Sequence, residues 1–245
     1  MKQYLFAAFV ALALLGSASA AGGNYDLMSA RSDLSNQASL QRGAKLFVNY
    51  CLSCHSASFM RYNRMAEDLG LTEEQLISNL MFASDKSGST MTVAMNEKDA
   101  NKWFGVVPPD LSVIARSRGP DWLYSYFMTF YRDDARPFGV NNLVFPSVGM
   151  PHVMERLQGV QRLRELKEDE VRSRDPKREL VLESEGSRSP GKFSKDMRDL
   201  TNFLIYVGEP VKLERYGLGI KVILFLLVLT FLTRALYKEY WKDVH

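Results

Sequence analysis

Apolar residues recur with a helical period in several stretches of the chain. Leu40, Ala44 and Phe47, with Gly43 beside them, fall at three- and four-residue spacing and predict a helix from about Ser35 to Tyr50. Met197, Leu200, Leu204 and Val207, widened by Phe203, predict a second from Ser194, as its cap, to Val207, with Gly208 and Pro210 ending it. A glycine inside a helix costs up to ~1 kcal/mol against alanine. That cost is intelligible at Gly43 if another helix must approach its backbone, so the two helices are expected to cross there and close a domain. Thr72 to Phe82 reads as a shorter helix with Thr72 as cap and Leu76, Ile77 and Leu80 as its apolar face, and Asp121 to Tyr131 as an aromatic-rich one. Lys86 to Lys98 lacks a period and reads as an exposed loop; residues 21–35 read as a loosely ordered leader.

Two apolar runs break this pattern. Residues 1–20 combine Lys2, the apolar stretch Leu5 to Leu15 and the small residues Ala18-Ser19-Ala20, the plan of a secretory signal peptide. Residues 213–237 contain the uncharged run Val222 to Thr233, bracketed by Lys221 and Arg234 and flanked by Tyr216, Tyr237, Tyr240 and Trp241, as a transmembrane helix with interfacial anchors requires. Export of the amino end puts residues 21–212 on the periplasmic side of a bacterial inner membrane and leaves 238–245, with Lys238 and Lys242, as a cytoplasmic tail.

Charge adds less. With 31 Lys and Arg against 28 Asp and Glu, the net charge of +3 gives no case for nucleic acid, and no basic patch is interleaved with aromatics. Half of residues 155–192 are charged, of both signs. This segment reads as a solvated insertion, a long hairpin using Leu180-Val181-Leu182 with a flexible turn around Gly186 to Gly191.

The chemistry concentrates at Cys51-Leu52-Ser53-Cys54-His55, which holds both cysteines of the chain. Thiols at this spacing can add to the two vinyl groups of one haem, and the histidine that follows is placed to bind its iron, the c-type attachment pattern. The competing readings are a thiol–disulfide centre, which would more often accompany a parallel sheet, and a zinc site, for which His152, His245 or carboxylates would have to complete the ligands. Met or His in the sixth iron position makes an electron carrier, whereas an open position binds small ligands. The candidates are Met60, Met65, Met81, Met91, Met95, Met128, Met150, Met154, Met197 and His152. Met60 and Met65 lie too close to His55 in sequence to reach the opposite face easily, and Met197 belongs to a helix stripe. Met150 leads, because Phe145-Pro146-Ser147-Val148-Gly149-Met150-Pro151 is a stiff loop able to present one thioether; His152 comes next.

Beyond this motif, Pro108-Pro109-Asp110-Leu111-Ser112 with Arg116 and Arg118, Asn142-Leu143-Val144-Phe145-Pro146 with Met150, and Asn202 to Pro210 ahead of the apolar run resemble the cytochrome c1 family in a proteobacterial form. The resemblance spans nearly the whole chain after the leader. It implies a mainly α fold: a cytochrome c-like haem domain with insertions plus one C-terminal transmembrane helix. It also implies one covalent haem c held by Cys51 and Cys54, with His55 and Met150 as axial ligands, Pro109 packed on the His55 side and Arg118 paired with a haem propionate. The implied function is electron transfer from the Rieske iron–sulfur protein to cytochrome c, within a bc1 complex that also contains cytochrome b. Catalysis would then belong to the assembled complex. Three rivals are a free-standing anchored cytochrome feeding a terminal oxidase, an anchored thiol–disulfide oxidoreductase, and a ligand-binding or sensor haem with an open sixth position.

Overall fold

The structure, a computed structural model, describes residues 25–165 and 178–243. The expected signal segment and the middle of the charged segment, 166–177, lie outside the described residues. Two helices frame the domain, α1 (Gln37–Tyr50) and, near its end, α8 (Pro190–Gly208). They cross at Gly43 so closely that a β-carbon there would stand 2.1 Å from the Asp199 carbonyl oxygen and 2.6 Å from Phe203 Cβ. Phe47 and Phe203 pack at 5.5 Å between ring centres beside the crossing. Asp199, buried on α8, is held there by Ser39 Oγ at 2.5 Å and Arg42 Nε at 2.6 Å, and Asn202 Nδ2 donates to the same Ser39 oxygen at 2.9 Å. A charge buried in this way is tolerated because every contact is hydrogen-bonded.

Between them run β1 (Ala57–Arg61), α2 (Tyr62–Asp68), α3 (Glu73–Leu80), β2 (Thr90–Met91), α4 (Glu97–Phe104), α5 (Ile114–Arg118) and α6 (Pro120–Met128). β3 (Phe130–Arg132), β4 (Val140–Asn142), α7 (Glu155–Gln158), β5 (Gly159–Glu165) and β6 (Arg178–Glu185) complete the domain. The strands form three separate antiparallel pairs, β1 with β2, β3 with β4 and β5 with β6, so the fold is mainly α. α3 begins as expected: Thr72 and Gln75 form a reciprocal capping box, and Leu76 and Leu80 are buried.

Several local expectations are corrected. α8 starts at Pro190, ahead of Ser194, because proline is preorganised for the first helical turn; Ser194 lies inside the helix and its hydroxyl meets Tyr124 Oη at 2.8 Å. Ile77 is half exposed rather than part of the apolar face. The aromatic helix stops at Met128, and Phe130-Tyr131 enter β3 instead, paired with Asn142 and Asn141. Lys86 to Lys98 is not simply an exposed loop: Met91 is fully buried where β2 pairs with β1, and Asn96 caps α4 by accepting from Lys98 N at 2.8 Å. The segment before α1 is pinned down, Met28 N to Ser125 Oγ at 2.8 Å, Ala30 N to Asp121 Oδ1 at 2.8 Å and Asp33 N to Asn202 Oδ1 at 3.0 Å. The hairpin of the charged segment exists, with Leu163 facing Leu180, but Gly186 sits at its base against Leu157 O and is not its turn. Ion pairs Arg162–Glu183 at 2.8 Å and Arg164–Glu179 at 2.7 Å cross that hairpin on a solvated face.

The final helix, α9 (Lys212–Tyr240), is long and apolar enough to cross a bilayer, with a mean hydropathy of 2.1 in its most apolar window, none of which is buried by the rest of the chain. Thr230 and Thr233 return their hydroxyls to the carbonyls of Leu226 and Leu229 at 2.7 and 2.9 Å, so their polar groups are satisfied without water. These properties fit a single-pass membrane anchor.

Candidate functional site

A cavity of about 390 Å³ opens between the end of α1, the segment 104–111, α5, α6 and the loop 145–151. Its walls are mostly apolar, among them Val106, Pro108, Leu111, Phe127 and Val148, and all six residues singled out from the sequence line it: Cys51, Cys54, His55, Pro109, Arg118 and Met150.

One wall is built locally. α1 ends at Tyr50 and the chain closes a tight turn, with Cys51 N on Phe47 O at 2.8 Å and both Cys54 N and His55 N on Cys51 O, at 3.0 and 2.8 Å. The turn gathers both thiols and the imidazole against one side of the cavity. His55 Nδ1 lies 2.7 Å from the Pro109 carbonyl oxygen. A carbonyl can only accept, so Nδ1 carries the hydrogen and Nε2 keeps its lone pair for a metal. Burial lowers the His55 pKa, against the opposing effects of the Pro109 bond and the Asp110 charge, and so favours the neutral imidazole that metal binding needs. The strip containing Pro109 is clipped to the motif strip: Leu111 N donates to Ser56 O at 2.8 Å, Ser58 N to Asp110 Oδ2 at 2.9 Å and Ser112 N to Asp110 Oδ1 at 2.7 Å. Burial would raise the Asp110 pKa, yet hydrogen bonds from Ser112 and Ser58 prevail and hold it below the usual aspartate range.

A second wall is assembled from distant positions. Among the described residues Met150 is the one methionine lining the cavity, whereas Met60, Met65, Met91, Met154 and Met197 are buried in the core. Its sulfur accepts a hydrogen bond from Tyr126 Oη at 3.3 Å. Tyr126 stacks on Trp122, one helical turn earlier on α6, at 5.1 Å with 7° between planes, and the Arg118 guanidinium lies 5.2 Å from the centre of the Trp122 ring. Asn142, buried at the end of β4, ties this wall together. Its amide donates to Tyr126 O at 2.7 Å, and its oxygen accepts from Val144 N at 2.9 Å and Phe145 N at 3.0 Å. The loop leading to Met150 passes through Ser147 at φ +63°, held by Asn141 Oδ1, which accepts from Ser147 N at 2.8 Å, and by Arg136, which donates to Ser147 O at 3.1 Å.

His152, the second ligand candidate, stands apart from this cavity. Its ring stacks on Phe130 at 4.7 Å and 5°, in a separate hollow that also contains Arg132, Asp134 and Glu155. Burial depresses its pKa to about 4, partly opposed by Gln158. Tyr126 and Trp122 were not singled out from the sequence, and Asn142 entered only as part of the motif behind the family resemblance, with no role of its own. The one available signal was the four-residue interval from Trp122 to Tyr126, which puts both rings on one face of α6.

The residues fit a covalently attached haem. The cavity is mostly apolar, and its lining brings together two thiols, an imidazole with its Nδ1 hydrogen already engaged and a thioether. They fit a dithiol redox centre poorly. Burial, and after it the neighbouring Cys54, raises the Cys51 pKa to about 12, whereas such a centre needs a stabilised thiolate. The three small antiparallel sheets among the described residues are also unlike a thioredoxin sheet.

Comparison with known proteins adds four findings. The family model described as "Cytochrome C1 family" matches residues 31–244. Cytochrome c1 of Allochromatium vinosum is 50% identical over 245 residues, the full length of both chains. A Nitrosomonas europaea protein named ammonia monooxygenase gamma subunit is 45% identical over 241 residues, 97% of this chain and 98% of that one. Among solved structures, a chain of "Hyperthermophilic respiratory Complex III" aligns over 100% of this chain and 98% of its own with a TM-score of 0.46 and 14% identity, a likeness too distant to carry weight.

Proposed function

The chain belongs to the cytochrome c1 family, and from that premise we propose that it is the electron-transfer cytochrome c1 subunit of a respiratory bc1 complex. Members of this family carry one covalent haem c. The supporting observation is that Cys51, Cys54 and His55 line the same apolar cavity as Met150. The haem supplies reversible one-electron chemistry at a potential set by its axial ligands, its burial and the hydrogen bonds around them.

The chain's own residues do the rest. Cys51 and Cys54, both in the cavity lining, would hold the haem by thioether bonds. His55 would bind the iron through Nε2, with the Pro109 carbonyl orienting its imidazole and reinforcing its basicity. Met150 would supply the second ligand, a thioether that favours the reduced metal more than a second nitrogen would. Arg118, in the cavity lining, would pair with a propionate, which suits a guanidinium fork. The apolar lining excludes water, so neither ligand is readily displaced.

α9 anchors residues 21–212 to the inner membrane on the periplasmic side, where the Rieske iron–sulfur protein donates an electron and a cytochrome c accepts it; cytochrome b is the neighbour within the membrane. The relative named ammonia monooxygenase gamma subunit supplies a second reading, the same haem domain serving a different assembly.

Purification of the full chain from detergent-solubilised membranes distinguishes the two. Recovery with a cytochrome b and a Rieske subunit, together with reduction of the haem by quinol, is the expected outcome. Recovery as a lone haem protein, or with subunits of a monooxygenase, contradicts the proposal.

A further inference from the structure

The Met150 wall contains a polar contact that ligation by itself does not require. Tyr126 is nearly fully buried and directs its hydroxyl at Met150 Sδ, at 3.3 Å, from a ring clamped between stacking on Trp122 at 5.1 Å and an edge-on contact with Phe130 at 5.1 Å. A thioether sulfur has two lone pairs. One can bind a metal while the other accepts a hydrogen bond, so the two interactions are compatible. The pair is also fixed in register, because Asn142 bonds to the Tyr126 carbonyl with its amide and to the start of the Met150 loop with its oxygen. α6 and the loop therefore move as one unit.

We propose that Tyr126 is a positioning residue that tunes the Met150 thioether through its hydroxyl, raising the reduction potential of the centre and selecting one sulfur orientation. This rests on the reading of Met150 as the sixth ligand. A hydrogen bond to sulfur withdraws density from the ligand, which weakens its donation to the electron-poor oxidised metal more than to the reduced one, so the reduced state gains. A hydrogen bond of ordinary net strength corresponds to a shift of about two- to tenfold in the reduced-to-oxidised equilibrium constant.

The test is a double-mutant cycle on the full-length, haem-loaded, membrane-anchored chain, read by redox titration and by the thioether-to-iron charge-transfer band of the oxidised form. Tyr126→Phe removes only the oxygen and keeps the ring contacts. It is expected to lower the midpoint potential by the equivalent of about two- to tenfold and to shift the charge-transfer band while retaining it. The same substitution in a Met150→Leu background should leave the potential unchanged. No shift in Tyr126→Phe, or an equal shift in the Met150→Leu background, overturns the proposal.

Should the variant fail to load haem, the unaltered chain supplies a second measurement. The iron–sulfur stretching frequency should differ between H2O and D2O, and an identical frequency in the two solvents contradicts the proposal. Failure of the underlying reading looks different: Met150→Leu would then leave the charge-transfer band of the parent chain untouched, whatever Tyr126→Phe does.

Discussion

The two walls of the cavity are made in opposite ways. The His55 wall comes from five consecutive residues at the end of one helix, backed by a single strip containing Pro109. The Met150 wall comes from α6, β4 and a loop, joined through Asn142, Asn141, Arg136 and Tyr126. A local turn can place ligands with little help from the rest of the fold. A thioether delivered by a loop needs a network, because each flexible torsion left free would cost binding free energy. The His55 wall should therefore fail all at once when its motif is altered, and the Met150 wall by degrees.

The largest effect is expected from replacing both thiols. Cys51→Ser with Cys54→Ser should abolish covalent haem altogether, checked by a haemochrome spectrum of the acid–acetone-washed chain. Gly43→Ala comes next, because it acts on the helix that delivers the motif. Its new β-carbon would meet the Asp199 carbonyl, and overpacking of this kind costs about 1–3 kcal/mol, read as a lower Tm of the haem domain. Asn142→Leu should cost about 1–3 kcal/mol by leaving the Tyr126 carbonyl and the loop amides without their partner. Unlike Gly43→Ala, it should also weaken the thioether charge-transfer band while covalent haem content stays unchanged.

The first wall was legible in the sequence and most of the second was not. Cys51 to His55 declare themselves because their chemistry depends on spacing alone. The crossing at Gly43 was readable because a glycine in an amphipathic helix needs a close neighbour, and Thr72 because a cap is a local event. Met150 could be ranked above His152 from the stiffness of its loop. What separates them in space, however, is the stacking of His152 on Phe130, a contact between β3 and a residue well beyond it in the chain. Tyr126, Asn142 and the pinned segment around Ala30 share that property. Their roles are set by partners far away in sequence, which neither period nor spacing reports. Ser194 and the supposed loop around Met91 were misread for a related reason, since proline geometry at Pro190 and strand pairing to β1 overrode the local polar pattern.

The smallest expected effect returns to the His55 wall. Asp110 has a folded-state pKa below its unfolded value, so its contribution to stability is present above roughly pH 4 and is lost as pH falls through the folded value. Asp110→Asn should make acid unfolding less steep in that range. The group is largely exposed, so solvent screening keeps the change within about 1 kcal/mol, measured by unfolding midpoints across pH. A larger change would mean that the clip between Ser58 and Ser112 matters more to this wall than the motif turn does.

Electron transfer by this chain depends on one haem being held between His55 and Met150. A carbon monoxide difference spectrum of the reduced full-length protein, taken beside Met150→Leu, tests this most directly. Negligible binding in the parent chain and ready binding in the variant is the result the account predicts; ready binding in the parent would contradict it.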